Sequence, residues 1–179
     1  MSQRTNEDLI RHLMALGMAT GTVGALAPDV IADLATVVGG TTQNEDNTLN
    51  SVALDDEWLS QRKRGAIIVA WGTTAANGNT KDIKLFLGAS AILTLADQTN
   101  NAKDFAFIAF LFSDGVDSQR GFGIALMDGA VVAGSSINFT ATEDANVAKT
   151  IKTTGNNNSA AASAATGKGL VVIPLANAA

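Results

Sequence analysis

The run Phe105-Ala-Phe-Ile-Ala-Phe-Leu-Phe112 decides the reading of this chain. It is the most apolar stretch present. It is too short, too aromatic and too β-branched to favour a helix, and it ends in Ser113-Asp-Gly-Val-Asp-Ser118, a turn-forming sequence. A strand apolar at both odd and even positions needs cover on both of its faces, because successive side chains point to opposite sides.

Working outward, similar short runs recur with reversal chemistry between them. Gly65 to Trp71 (GAIIVAW) stops at Gly72, and Trp71 reads as core. The stretch Thr73 to Thr80 holds Asn77-Gly78-Asn79, residues that tolerate positive φ and reverse a chain. Ile83, Leu85 and Leu87 alternate along one strand; Ile92, Leu93 and Leu95 make another after the turn Gly88-Ala-Ser90. Phe122, Ile124 and Leu126 alternate with Gly121, Gly123 and Ala125 before Asp128-Gly129. Ala130–Ala133, Ile137–Ala141, Val147–Thr154 and Gly169–Leu175 complete the series, with Pro174 suited to a strand end. About eight strands at spacings of roughly ten residues predict an all-β protein, an antiparallel sandwich or barrel.

The first forty residues read differently. Leu9, Leu13 and Leu16 recur at helical spacing behind Thr5 and Asp8, and Pro28 opens a second stretch in which Val30, Ile31, Leu34, Val37 and Val38 form a helical stripe. The expectation is a helical arm over 1–40, a polar linker or loop over 41–57 (TTQNEDNTLN at its start) and a β domain over 58–179. Short isolated helices are marginal in water, so the arm needs a surface to lie on. Leu9, Leu13, Leu16, Val30, Leu34 and Val37 are the candidate docking residues.

Composition narrows the chemistry. The 179 residues are 46% hydrophobic and 16% charged, with 12 Lys and Arg against 17 Asp and Glu, a formal charge of −5. An acidic chain is a poor partner for nucleic acid, and the basic triplet Arg62-Lys63-Arg64 has no interleaved aromatics for stacking on bases. There is no Cys and one His, His12, so disulfides, thiolate chemistry and multi-histidine zinc sites are excluded. Asp55-Asp56-Glu57 reads as a solvated loop and Asp114-Gly115 with Asp117 as a hairpin turn; neither has a calcium-loop pattern, so no metal or cofactor is expected. Charges interrupt the N-terminal apolar residues, and the longest apolar runs fall far short of the ~20 residues a membrane helix needs, so no signal peptide and no membrane partner are expected. No set of catalytic residues emerges, and the chain is read as not an enzyme.

From about residue 58 the chain resembles the jelly-roll structural domains of tailed-bacteriophage particles, as found in capsid decoration proteins, head fibres and tail-fibre tips. The resemblance is carried by VAWGTTAANGNTKDIKLFLGAS (Val69 to Ser90), by the Phe105–Ser113 strand followed by Arg120, and by TEDANVAKTIKTTGNNNSAA (Thr142 to Ala161) before the last apolar strand. It covers about two thirds of the chain and none of the first forty residues. It implies an antiparallel jelly-roll β-sandwich that assembles as a homotrimer on the outer capsid surface of a virion, made in the host cytoplasm. The partners it implies are the major capsid protein, sister copies and neighbouring trimers, with the arm as the docking element. The short chain, without shaft or fibre repeats, favours a compact cement protein. The alternative within the same resemblance is a receptor-binding fibre tip contacting host glycans through loops carrying Trp58, Asn77, Asn79, Asn156, Asn157 and Asn158. A glycan-cleaving enzyme on that scaffold needs two carboxylates about 5 to 10 Å apart, for which Asp55 to Glu57 are the only dense candidates.

Overall fold

The computed structural model describes residues 30–39, 45–55, 65–99, 101–132, 137–159 and 162–175. These residues form twelve strands and no helix: β1 (Ile31–Asp33), β2 (Val37–Gly39), β3 (Asn47–Leu54), β4 (Gly65–Thr74), β5 (Lys81–Leu87), β6 (Ser90–Gln98), β7 (Asp104–Gly115), β8 (Ser118–Met127), β9 (Ala130–Val131), β10 (Ile137–Ala141), β11 (Lys149–Asn157) and β12 (Ala165–Leu175). They pair antiparallel in two sheets. The larger runs β1-β12-β4-β7-β8-β10, with β2 also on β12 and β9 on β8; the smaller runs β3-β11-β5-β6. The chain crosses between sheets from β2 to β3, β3 to β4, β4 to β5, β6 to β7, β10 to β11 and β11 to β12. The all-β expectation therefore holds as an antiparallel sandwich.

The core lies between the sheets. From the larger sheet come Ala66, Ile68 and Ala70 of β4, Phe105, Phe107, Ala109 and Leu111 of β7, Ala125 of β8, Phe139 of β10 and Leu170 and Val172 of β12; from the smaller come Leu49, Val52, Leu54, Ile83, Leu85, Leu87, Leu93, Leu95 and Ile151. Register keeps these on one face: Phe107 lies opposite both Ala70 and Ala125, and Ile68 opposite both Val172 and Ala109. Large residues thus alternate with small ones across neighbouring strands, as dense packing requires.

Two expectations fail here. Residues 31–39, placed in a helix of the arm, form β1 and β2 on either side of a connection at Leu34–Thr36; Val37 opens β2, Leu34 lies in the connection and Val30 just precedes β1. β-Branched Val and Ile favour strand, and the edge of β12 satisfies their backbone better than a ten-residue helix could. The 41–57 linker contains β3, which pairs along β11 from Lys149 to Gly155. Its polar letters misled because Asn50 is fully buried, its amide nitrogen donating to the Ala35 carbonyl at 2.8 Å. The expected arm over 1–29 and the residues Leu9, Leu13 and Leu16 lie outside the described residues.

Polar side chains tie the elements together. Glu143 Oε1 accepts from the backbone amides of Ala89 and Ser90, both at 3.0 Å, and from Ser90 Oγ at 2.8 Å, so a residue after β10 clamps the β5–β6 hairpin. Gly88 in that hairpin has φ of 57°, and a Cβ there would lie 2.3 Å from the same carboxylate, so glycine is required twice over. Asp33 pins the β1–β2 turn to β3, accepting from Ala35 N at 3.0 Å and Ser51 N at 2.9 Å. Partial burial pushes the Asp33 carboxyl up, but hydrogen bonds from Ser51, Ala35 and Asn50 outweigh it and hold its pKa below the ordinary value.

Because that folded pKa is depressed, the stability Asp33 contributes is present above about pH 4 and is lost as pH falls through the lower folded value. Asp33→Ala is expected to cost about 1 kcal/mol at pH 7 and to converge on wild type as the pH drops below about 4. Urea midpoints measured from pH 7 to pH 3 check this; a gap that stays constant across the range contradicts it.

Candidate functional site

Phe105 to Phe112 has two faces, and only one is absorbed by the core. Phe105, Phe107, Ala109 and Leu111 point inward, leaving Ile108, Phe110 and Phe112 on the outer face of the larger sheet. β8 repeats this division in a sharper form. Its inward positions run Gln119, Gly121, Gly123, Ala125 and Met127, small over the middle of the strand, whereas Phe122, Ile124 and Leu126 face out. A Cβ at Gly121 would come within 2.4 Å of the Phe139 ring, and one at Gly123 within 2.7 Å of Leu93, so the inner surface of β8 has no room for larger side chains at these two positions, while Gln119 and Met127 fill its ends. The bulky residues of this strand are held outward by the packing of the interior.

Register lays these residues side by side. Ile173, Ile67, Phe110 and Phe122 form one cross-strand row from β12 to β8; Val171, Val69, Ile108 and Ile124 form the next. A third row holds Trp71, Ala106 and Leu126, with Val131 of β9 beside Leu126. Trp71, expected in the core, is half-buried on this outer face and lies over Gly169, where a Cβ would sit 2.4 Å from the indole. The exposure is high where the face is open: Phe110 38%, Phe112 46%, Phe122 44% and Val131 55%. The charged side chains lie at its ends, where Arg120 pairs with Asp114, and Lys168 with Asp104 at 3.3 Å. The outer face of the smaller sheet is of ordinary character, carrying Lys84, Thr94, Thr150 and Lys152, with Lys152 Nζ 5.2 Å from the Phe86 ring.

The asparagines expected in glycan-contacting loops converge at one end of the sandwich, around a buried lysine. Lys81, fully buried, donates from Nζ to the Asn77 carbonyl at 2.7 Å and the Asn79 carbonyl at 2.9 Å. Burial pushes its pKa down. Asn77 donates its amide to Ser163 O at 3.0 Å and accepts from Asn79 N at 3.2 Å; Asn157, fully buried, donates to Ala162 O at 2.9 Å and accepts from Ser159 N at 3.1 Å. Asn158 N donates to Thr80 O at 2.9 Å. Asn156 and Asn157 are the last residues of β11 rather than part of a loose loop, and Asn156 is buried. The amides of Asn77 and Asn157 are therefore engaged in holding the 75–80 and 158–164 segments to each other, not presented to a ligand.

Of the remaining candidates, Val30 and Leu34 are exposed at the β1 edge, and Val37 is partly buried on β2. Trp58, Glu57 and the Arg62-Lys63-Arg64 triplet lie outside the described residues. Among the described residues no group of three His, Cys, Asp or Glu side chains could hold a metal ion. The feature missed from sequence was the direction of β8: alternation marked Phe122, Ile124 and Leu126 as one face without saying which side was the core.

No protein-family model matches the chain, and no curated protein matches it. The chain is similar to a solved structure titled lectin UEA-II complexed with galactose, at 9% sequence identity and a TM-score of 0.41, covering 83% of this chain and 95% of that one. A likeness that slight carries no functional argument.

Lys81→Met is expected to leave the Asn77 and Asn79 carbonyls without their ammonium donor and to cost about 1 to 3 kcal/mol, with faster amide exchange confined to residues 75–80 and 158–164. Hydrogen exchange read by mass spectrometry checks this; unchanged exchange in both segments would show that the lysine does not hold them.

Proposed function

We propose that this chain is a structural protein of a tailed-bacteriophage particle, a homotrimeric capsid decoration protein with a jelly-roll body that binds the head and stabilises it. The observation that carries the reading is the apolar outer face of the larger sheet, built by β4, β7, β8 and β12. A solitary soluble domain rarely leaves a continuous apolar patch of more than a few hundred Å² in water. A chain made to assemble has a use for one.

The mechanism is mechanical. Sister copies associate about a closed symmetry axis, which satisfies sticky surface without leaving a free end. The segment 1–29, with Leu9, Leu13 and Leu16, docks on the major capsid protein or an adjacent trimer. Binding available only in the assembled shell stabilises that shell by mass action, and linked arms raise one another's effective concentration. The pairing of β1 and β2 with β12 ties the start of the body to the same sheet, so load on the arm passes into the core strands.

The receptor-binding alternative draws less support, since Asn77 and Asn157 have their amides engaged internally. Quantitative mass spectrometry of purified particles separates the two readings. Decoration predicts a copy number in fixed stoichiometric ratio to the major capsid protein, together with loss of head stability when the protein is stripped. A few copies per particle with binding on a glycan array would favour the fibre tip, and absence from particles would end both.

A further inference from the structure

We infer that the outer face of the larger sheet, centred on Phe110 and Phe122, is the surface through which one copy of this chain binds a second copy. The inference rests on the assembly reading above and names the partner and the residues of that assembly.

Area decides which occupant fits. The apolar rows cross β12, β4, β7 and β8 and run from Phe112 past Phe110 and Ile108 to Ala106 along β7. At about 4.8 Å between strands and about 3.3 Å per residue, with side-chain margins, the rows span roughly 600 Å²; Val69, Val171 and Ala106 are already buried within the chain, so the open part lies toward Phe110, Phe112 and Phe122. A stable protein–protein contact buries about 800 Å² on each partner, so the patch with its polar border is the size of one interface. The other candidate occupant is the chain's own N-terminal segment. A helix of the thirteen residues Thr5 to Gly17 would be about 20 Å long and about 10 Å wide, and its shadow of roughly 200 Å² leaves most of the face open. Sister copies that each turn this face toward a shared threefold axis cover all of it.

The layout of the surface agrees. Aromatic residues, which dominate binding energy at interfaces, hold the most open part of the face as Phe110 and Phe122, opposite each other on adjacent strands. Ile67, Ile108 and Ile124 surround them, and charge is confined to the ends at Arg120–Asp114 and Lys168–Asp104. An apolar centre ringed by polar groups is the anatomy of a protein contact. The inward glycines of β8 keep it so, because they make it impossible to turn Phe122, Ile124 and Leu126 into the core.

The test is light scattering coupled to size exclusion, on the full chain over a wide concentration range, with three variants. Wild type is expected to run as a closed oligomer. Phe122→Lys is expected to weaken self-association by about 30-fold or more while keeping a wild-type circular dichroism spectrum. Phe86→Ser, on the outer face of the smaller sheet, is expected to leave the oligomer intact. Should Phe122→Lys fail to fold, Phe112→Ser at the margin of the face decides in its place, with a monomer supporting the inference and an intact oligomer overturning it. The inference is also overturned by a wild type that stays monomeric, by an oligomer that survives Phe122→Lys, or by one that Phe86→Ser dissolves. A monomeric wild type whose Phe122→Lys variant no longer binds capsids would assign the face to the capsid instead. The virion reading fails separately: an oligomer broken by Phe122→Lys but absent from phage heads removes that reading and leaves this interface standing.

Discussion

The structure depends on one constraint, that β7 and its neighbours are apolar on both faces while only one face can reach the core. Phe105, Phe107 and Leu111 fill the space between the sheets, with Phe105 and Phe107 in an edge-to-face contact at 6.0 Å between ring centroids. That volume is then complete. Phe139 and Leu93 close the space over β8, so β8 can offer the interior nothing larger than glycine and alanine over most of its length. Packing inside therefore dictates what is displayed outside, and the displayed surface is aromatic and aliphatic. Each Å² of that surface left in water forgoes about 25 cal/mol that burial would supply.

The polar residues inside the sandwich play a complementary part. Asp33, Asn50, Lys81, Asn157 and Glu143 each reach backbone groups of a segment that β pairing leaves unsatisfied, at the turns and ends of the sheets. Gln119 does the same for Glu143 in a reciprocal pair, accepting from its amide at 2.9 Å and donating to its carbonyl at 2.8 Å. Such contacts add little net stability apiece but are costly to leave half-made, so they fix the geometry of the ends.

Much of the fold could be read from sequence, and the reasons are local. The runs at Gly65, Ile83, Ile92, Phe105, Phe122, Ile137 and Gly169 all form strands because alternation or β-branched composition signals extended chain and Gly, Asn and Asp mark the reversals. The failures are cases where tertiary context outweighed pattern. Val30 to Val38 has helical spacing but lies beside the open edge of β12; Asn47 to Leu54 looks like linker because its polar Asn50 is satisfied inside; Asn156 and Asn157 look like loop because their strand ends in amides. The candidate surface was half legible. That β7 needed cover on both faces follows from its composition, but that Phe122 points away from the core follows only from the Phe139 ring and the Leu93 side chain, which no single strand can reveal.

The most direct test of this account is hydroxyl-radical footprinting of the full-length protein in solution, reading Phe110, Phe112 and Phe122 against Phe105 and Phe107. The account predicts that all five rings are protected, the first three by a neighbouring molecule, with labelling of those three rising on dilution. Strong labelling of Phe110 and Phe122 at high protein concentration would contradict it.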